Sequence, residues 1–281
     1  MAIQITCTDC MVRQNVKDIV RHARCKAMVC RQCMLTKAHV CHPMRIARLD
    51  DFANEQSNIT WLIDALLPSV GWTLLVGTRG YGKTTLALQL CAALQEGKPF
   101  FNRPTIQTNV FYIQADSLPD EWQAIVQRVA PQSLGWTCLD VPTACMDNPA
   151  YVSSLVTLTA KVKPGFIVFD SLYNLTNPKH LNTGNILDAV NAMKSIAGNI
   201  PWMLVHHPPH GETRASGHNS LSGNCSNEWA LLKTQLKVVK GRLVKDKEIY
   251  IERDEDGLWI LADDMSSGSV DNDDGLGIFR R

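Results

Sequence analysis

Two stretches of this 281-residue chain carry side chains whose types and spacing can do chemistry. The first is "VGTRGYGKTTLALQL", in which Gly77-x4-Gly82-Lys83-Thr84 fills every fixed position of a phosphate loop. Glycines let the backbone N–H groups of Gly77, Thr78, Arg79, Gly80, Tyr81 and Gly82 approach a polyphosphate, and the helix that follows adds the positive end of its dipole. Lys83 is expected at the β and γ phosphates, Thr84 on Mg²⁺ through its hydroxyl, and Thr85 in the first helical turn. The chemistry implied is binding of ATP or a similar nucleoside triphosphate with its metal.

The second stretch, "CKAMVCRQCMLTKAHVCH" from Cys25 to His42, belongs to a longer series of ligand pairs. Cys7-x2-Cys10, His22-x2-Cys25, Cys30-x2-Cys33 and His39-x2-His42 share one internal spacing. A two-residue gap lets one tight turn present both ligands to one ion, so four such pairs suit two tetrahedral Zn²⁺ ions. A one-zinc ribbon on the two Cys-x2-Cys pairs is the alternative, and Cys41 can replace a histidine. A segment this short buries too little apolar surface to fold alone, so metal would supply its folding energy. The other cysteines, Cys91, Cys138, Cys145 and Cys225, are scattered and read as small core hydrophobes.

Charge separates the same two regions. Residues 1–48 hold nine Lys/Arg against Asp9 and Asp18, a net of +7, which leaves −6 for the rest of the chain. With zinc-bound thiolates counted, the segment keeps about +6. A small basic module attracts polyanions, nucleic acid first. No run of about 18 apolar residues is present, and the N-terminus lacks a signal-peptide pattern, so a soluble cytoplasmic protein with reduced thiols and no membrane contact is expected.

The elements that must position these groups read as an α/β domain with a mostly parallel central sheet. An apolar strand (Thr73 to Val76) precedes the phosphate loop and an amphipathic helix follows it. Further strands, "NVFYIQAD", "PGFIVFD" and "IPWMLVHH", end in Asp116, Asp170 and the pair His206 and His207. Helical patterns such as "DEWQAIVQRV" and "NILDAVNAMKSIA" lie between them. Ligands bind at the carboxyl ends of strands in such sheets. Asp170 after four apolar residues is placed to join Thr84 at Mg²⁺. The expected organisation is a zinc-binding module over 1–48, a linker and lead-in over 49–70, the nucleotide-binding core over 71–262 and a disordered acidic tail over 263–281. Pro208 to Asn227 reads as one long Gly/Ser/Asn-rich loop and is the candidate DNA contact.

"WLIDALLPSVGWTLLVGTRGYGKTTLALQL", "EGKPFF", "VFYIQAD", "FIVFDSL" and "LVHHPPHG" occur in an order that resembles RecA-like ATPases of the RepA type, hexameric ring-forming replication helicases. The resemblance spans roughly residues 58–262. It implies a RecA-like core, DNA-dependent ATP hydrolysis and a homo-oligomeric ring. It puts Asp116 in the place of the base that orients water, and His206 or His207, or both, at the γ-phosphate. The family carries Glu where this chain has Asp116, and the shorter side chain retracts the carboxylate by about 1.5 Å. Lys240 and Arg242 in "LKVVKGRLV" resemble paired cations that reach a neighbouring subunit's site, with Arg214 a second candidate; an ordinary basic turn is the alternative. The spacing of the front module resembles B-box cross-brace zinc modules. That resemblance implies one site of Cys7, Cys10, Cys30 and Cys33 and another of His22, Cys25, His39 and His42.

Two functions follow. In one, the chain is an ATPase acting on DNA, single-stranded DNA above all, in replication or recombination. In the other, it is a slowly hydrolysing, ATP-switched loader that recruits a replication protein through its zinc module.

Overall fold

The computed structural model describes residues 48–55, 59–129, 135–139, 141–180, 186–207, 218–244 and 247–262, together with the backbone of four short strands near the N-terminus. The chain divides into two compact units, Met1–Asn58 and Ile59–Arg281. In the first, β1 (Gln4–Thr6) pairs antiparallel with β2 (Arg13–Asn15), and β3 (Ile19–Arg21) with β4 (Met28–Cys30). A short helix, α1 (Leu49–Ala53), follows. The eight side chains expected to bind zinc and the expected acidic tail lie outside the described residues.

The second unit opens with the hairpin β5 (Trp61–Ile63) and β6 (Leu67–Pro68). Leu62, Ile63, Leu66 and Leu67 are buried in the core, so the boundary between the units falls inside the expected lead-in. Six parallel strands then form the body of one sheet: β7 (Trp72–Gly77), β8 (Val110–Gln114), β9 (Trp136–Cys138), β10 (Phe166–Asp170), β11 (Trp202–His206) and β12 (Asn227–Leu231). Three antiparallel strands extend it: β13 (Gln235–Gly241), β14 (Lys247–Arg253) and β15 (Trp259–Leu261). The spatial order is β15-β14-β13-β12-β7-β11-β10-β8-β9.

The apolar strands are buried on both faces, as a parallel sheet covered by helices requires. Side chains alternate across the pleat, so each strand divides between two clusters. Leu75, Tyr112, Val168 and Val205 pack on one face with Leu86, Leu90 and Leu94 of α2 (Lys83–Glu96). Leu74, Ile113, Phe169 and Leu204 pack on the other with Ile186, Val190 and Met193 of α6 (Ile186–Ala197). Between these helices in sequence lie α3 (Pro119–Val129), α4 (Pro149–Val162) and α5 (Leu172–Leu175). Asn148 caps α4, its side chain accepting the Ala150 N–H with Pro149 at the first helical position.

Two expectations change. The stretch 208–227 is not one loop, because α7 (His218–Asn224) forms inside it. Leu221 and Cys225, four residues apart, are fully buried and anchor that helix among otherwise polar residues. Cys138 is half-buried on the edge strand β9, whereas Cys91, Cys145 and Cys225 are core residues as expected.

Candidate active site

Strand register gathers the chemistry at one edge. His206 pairs with Val76, Phe169 with Leu204, and Asp170 with Gln114, so the carboxyl ends of β7, β11, β10 and β8 lie side by side. The phosphate loop leaves β7 there and enters α2. At Gly77 the backbone runs so close to β12 that a Cβ would sit 2.6 Å from the Leu231 carbonyl oxygen, so only glycine fits. Gly82 turns the chain into α2 with φ +80° and accepts the Leu86 N–H at 2.9 Å, the first helical hydrogen bond. Lys83 is buried and donates to the Gly77 and Thr78 carbonyls at 2.6 and 2.8 Å. Burial pulls its pKa down to about 8, against the opposing pull of Asp170 and Asp116. The ammonium therefore sits beneath the loop, aligned with the helix start.

Asp170 ends β10 across a cis Asp170–Ser171 peptide and is 1% exposed. Its Oδ2 accepts from the Thr84 hydroxyl at 2.8 Å and from the Tyr112 phenol at 2.6 Å. Burial and the nearby charge of Asp116 push its carboxyl up, while Tyr112 and Thr84 hold it down. Oδ1 is buried and accepts no hydrogen bond among the described residues. A buried carboxylate oxygen left open beside a threonine hydroxyl fits a hard divalent cation, so Thr84 and Asp170 are the groups that would hold Mg²⁺. Bound there, the metal would neutralise charge on the transferring phosphoryl oxygens. Tyr112 was not foreseen in this role. It reaches Asp170 because the pleat turns it to the α2 side of β8. Removing a hydrogen bond to a buried charged group costs about 1.5–3 kcal/mol. Tyr112→Phe is therefore expected to raise the Mg²⁺ concentration for half-maximal hydrolysis roughly tenfold, read from Mg²⁺ titrations at fixed ATP.

Asp116 lies two residues past β8, in a turn held by Gln114, whose side chain bonds the Ser117 N–H and carbonyl, each at 3.0 Å. Its Oδ1 accepts from the Ser171 hydroxyl at 2.7 Å and the Asn174 amide at 2.6 Å, and its Oδ2 meets His207 Nε2 at 3.1 Å. Burial pushes this carboxyl up, but the His207 hydrogen bond and charge, with Ser171 and Asn174, hold it below its ordinary range. It is thus an ionised, oriented acceptor. Ligand atoms of Asp116, Asp170 and His207 all lie within 4.8 Å of one another. His206 is buried at the end of β11, beside β7. Ser171 and Asn174 escaped the sequence reading because only the chain reversal after β10 brings them to Asp116.

Lys240 and Arg242 do not join this edge. Asn227 pairs with Thr73 on one side and Gly241 on the other, which places the end of β13 at the opposite edge of the sheet. There Lys240 donates to the Ser222 and Gly223 carbonyls in the last turn of α7, and Arg242 is exposed. Arg214 lies outside the described residues. Two groups unsignalled in the sequence do reach the phosphate loop, Arg253 at the end of β14 and Trp259 at the start of β15. The Arg253 guanidinium donates to the Gly80 carbonyl at 3.4 Å and the Trp259 indole N–H to the Gly82 carbonyl at 3.1 Å.

The AAA domain family model matches residues 39–213, more than half of the chain. The chain belongs to the AAA domain family. Among solved structures, this AAA domain protein is similar to a KaiC-like protein of the hyperthermophilic archaeon Pyrococcus horikoshii OT3. The two share 13% identity over 72% of this chain and 94% of that one, with a TM-score of 0.50, a likeness of fold. No curated protein matches the chain. This AAA domain protein is a RecA-like P-loop NTPase, and its family implies ATP binding and hydrolysis. No helix among the described residues is long and apolar enough to cross a membrane.

Proposed function

We propose that this chain is a homo-oligomeric ATPase that acts on single-stranded DNA in replication or recombination. The observation that carries the ATPase part is the convergence of Lys83, Thr84, Asp170, Asp116 and His207 on one sheet edge. In this reading Lys83 and the loop N–H groups hold the phosphates. Asp116, oriented by Ser171, Asn174 and His207, accepts a proton from the attacking water and aligns it with the γ-phosphate. His206 and His207 answer to the state of that phosphate from the end of β11. Arg242 is the cation offered to a neighbour's phosphate, and Lys240 joins it once released from the α7 carbonyls.

The DNA part rests on the net +7 of residues 1–48 and on the resemblance to ring helicases. The front segment is proposed to bind Zn²⁺ through Cys7, Cys10, His22, Cys25, Cys30, Cys33, His39 and His42. In sequence, one ligand pair falls between β1 and β2 and another between β3 and β4. Titrating single-stranded DNA into the zinc-loaded chain while following steady-state hydrolysis tests the proposal. It predicts strong, saturable stimulation that weakens as salt rises.

One observation favours the switch reading instead. Both oxygens of the short Asp116 side chain are engaged by protein groups, which suits slow turnover and a long-lived ATP state. A slow rate that DNA leaves unchanged would abandon the motor for an ATP-switched loader.

A further inference from the structure

The far end of the sheet returns to the phosphate loop. The Trp259 main chain pairs both ways with the Gln89 side chain of α2, at 2.9 and 3.0 Å, while its indole is bonded to Gly82. The Arg253 guanidinium carbon lies over the Trp259 ring, 4.8 Å from its centroid, a cation–π contact that holds the group beside the loop. A Cβ on Gly82 would meet Arg253 Nη2 at 2.3 Å, so the group is pressed against the loop.

Two facts mark this as more than a clamp. A guanidinium carries five N–H donors, yet among the described residues Arg253 makes one hydrogen bond, a long one to a carbonyl, and no ion pair. Positive charge also accumulates here. Lys83 lies beneath the loop, the α2 N-terminus points its N–H groups into it, and the Arg253 guanidinium sits beside Gly80 and Gly82. Converging like charges cost free energy, and a bound polyanion relieves that cost.

We propose that Arg253 is a second, same-subunit cation for the phosphate chain of the nucleotide, held in position by Trp259. Its free N–H groups donate to non-bridging phosphate oxygens. The inference rests on the nucleotide-binding reading of the loop and adds a ligand group from a strand 170 residues downstream of Lys83 in the chain.

The test measures binding of ATP and of inorganic tripolyphosphate to the full chain, by displacement of a fluorescent ATP analogue. A charge-assisted contact of this kind predicts that Arg253→Gln weakens both ligands about tenfold. Equal loss for both is the expected result, because tripolyphosphate has no base or sugar. Loss for ATP alone would make Arg253 a base or ribose contact, and no loss for either would make it a loop clamp; both overturn the proposal. Should Arg253→Gln not fold, Arg253→Lys asks the same question. The ammonium lacks the planar fork, so affinity for both ligands should fall about threefold, and an unchanged value overturns the proposal. Wild-type protein that binds neither ligand would instead sink the nucleotide reading itself.

Discussion

Lys83→Ala is expected to abolish measurable ATP hydrolysis, lowering the rate by at least 10²–10³-fold, the scale seen when one preorganised charge donor leaves a reaction centre. The side chain is buried beneath the phosphate loop, and among the described residues no other cation shares that position. The loss should not come from unfolding. Burial pulls the folded pKa of Lys83 from 10.5 to about 8, so below pH 8 the protein carries a buried charge that the unfolded chain holds in water at less cost. Between about pH 8 and 10.5 the unfolded state binds the extra proton, so this residue makes stability rise with pH. Removing it should leave the melting temperature at neutral pH undiminished while hydrolysis disappears. The same pKa gives a second readout. Phosphate prefers the charged ammonium, so wild-type ATP affinity should decline as pH rises past about 8, and Lys83→Ala should lack that decline. Calorimetric ATP titrations across that range, beside melting curves, check both.

Asp116→Asn separates binding from chemistry. The asparagine keeps the shape and accepts the Ser171 and Asn174 hydrogen bonds through its carbonyl, but it cannot take a proton. A general base contributes about 10²–10⁴-fold, so hydrolysis should fall within that range while ATP affinity stays near wild type. Single-turnover hydrolysis measured beside equilibrium ATP binding shows the split. A parallel fall in both would mean that Asp116 serves the fold of the edge and not the reaction.

The phosphate loop was legible in sequence because its chemistry is local. A backbone that wraps a phosphate needs glycines at fixed spacing, and Lys83 and Thr84 must follow at once, where the helix begins. Asp170, His206 and His207 were legible because a continuous apolar run announces each strand and its polar end announces the ligand-binding edge. What sequence could not disclose were residues assembled by topology. Tyr112 faces Asp170 through the pleat of β8, Ser171 and Asn174 close on Asp116 beyond β10, and Arg253 and Trp259 return through three antiparallel strands. None carries a local pattern that marks it. Composition also concealed α7, since Leu221 is its one apolar residue and its second anchor, Cys225, lies just past its end. The position of Lys240 and Arg242 at the far edge followed only from register across β7, β12 and β13, which no single segment contains.

In the proposed reaction, one sheet edge both holds and cleaves MgATP, with Asp116 as the base. Single-turnover hydrolysis of γ-labelled ATP by the full chain, wild type beside Asp116→Asn, tests it most directly. Wild type is expected to release labelled phosphate, whereas Asp116→Asn keeps intact ATP bound. Equal rates in the two proteins, or wild type that binds ATP and never cleaves it, would contradict a base role for Asp116 at this edge.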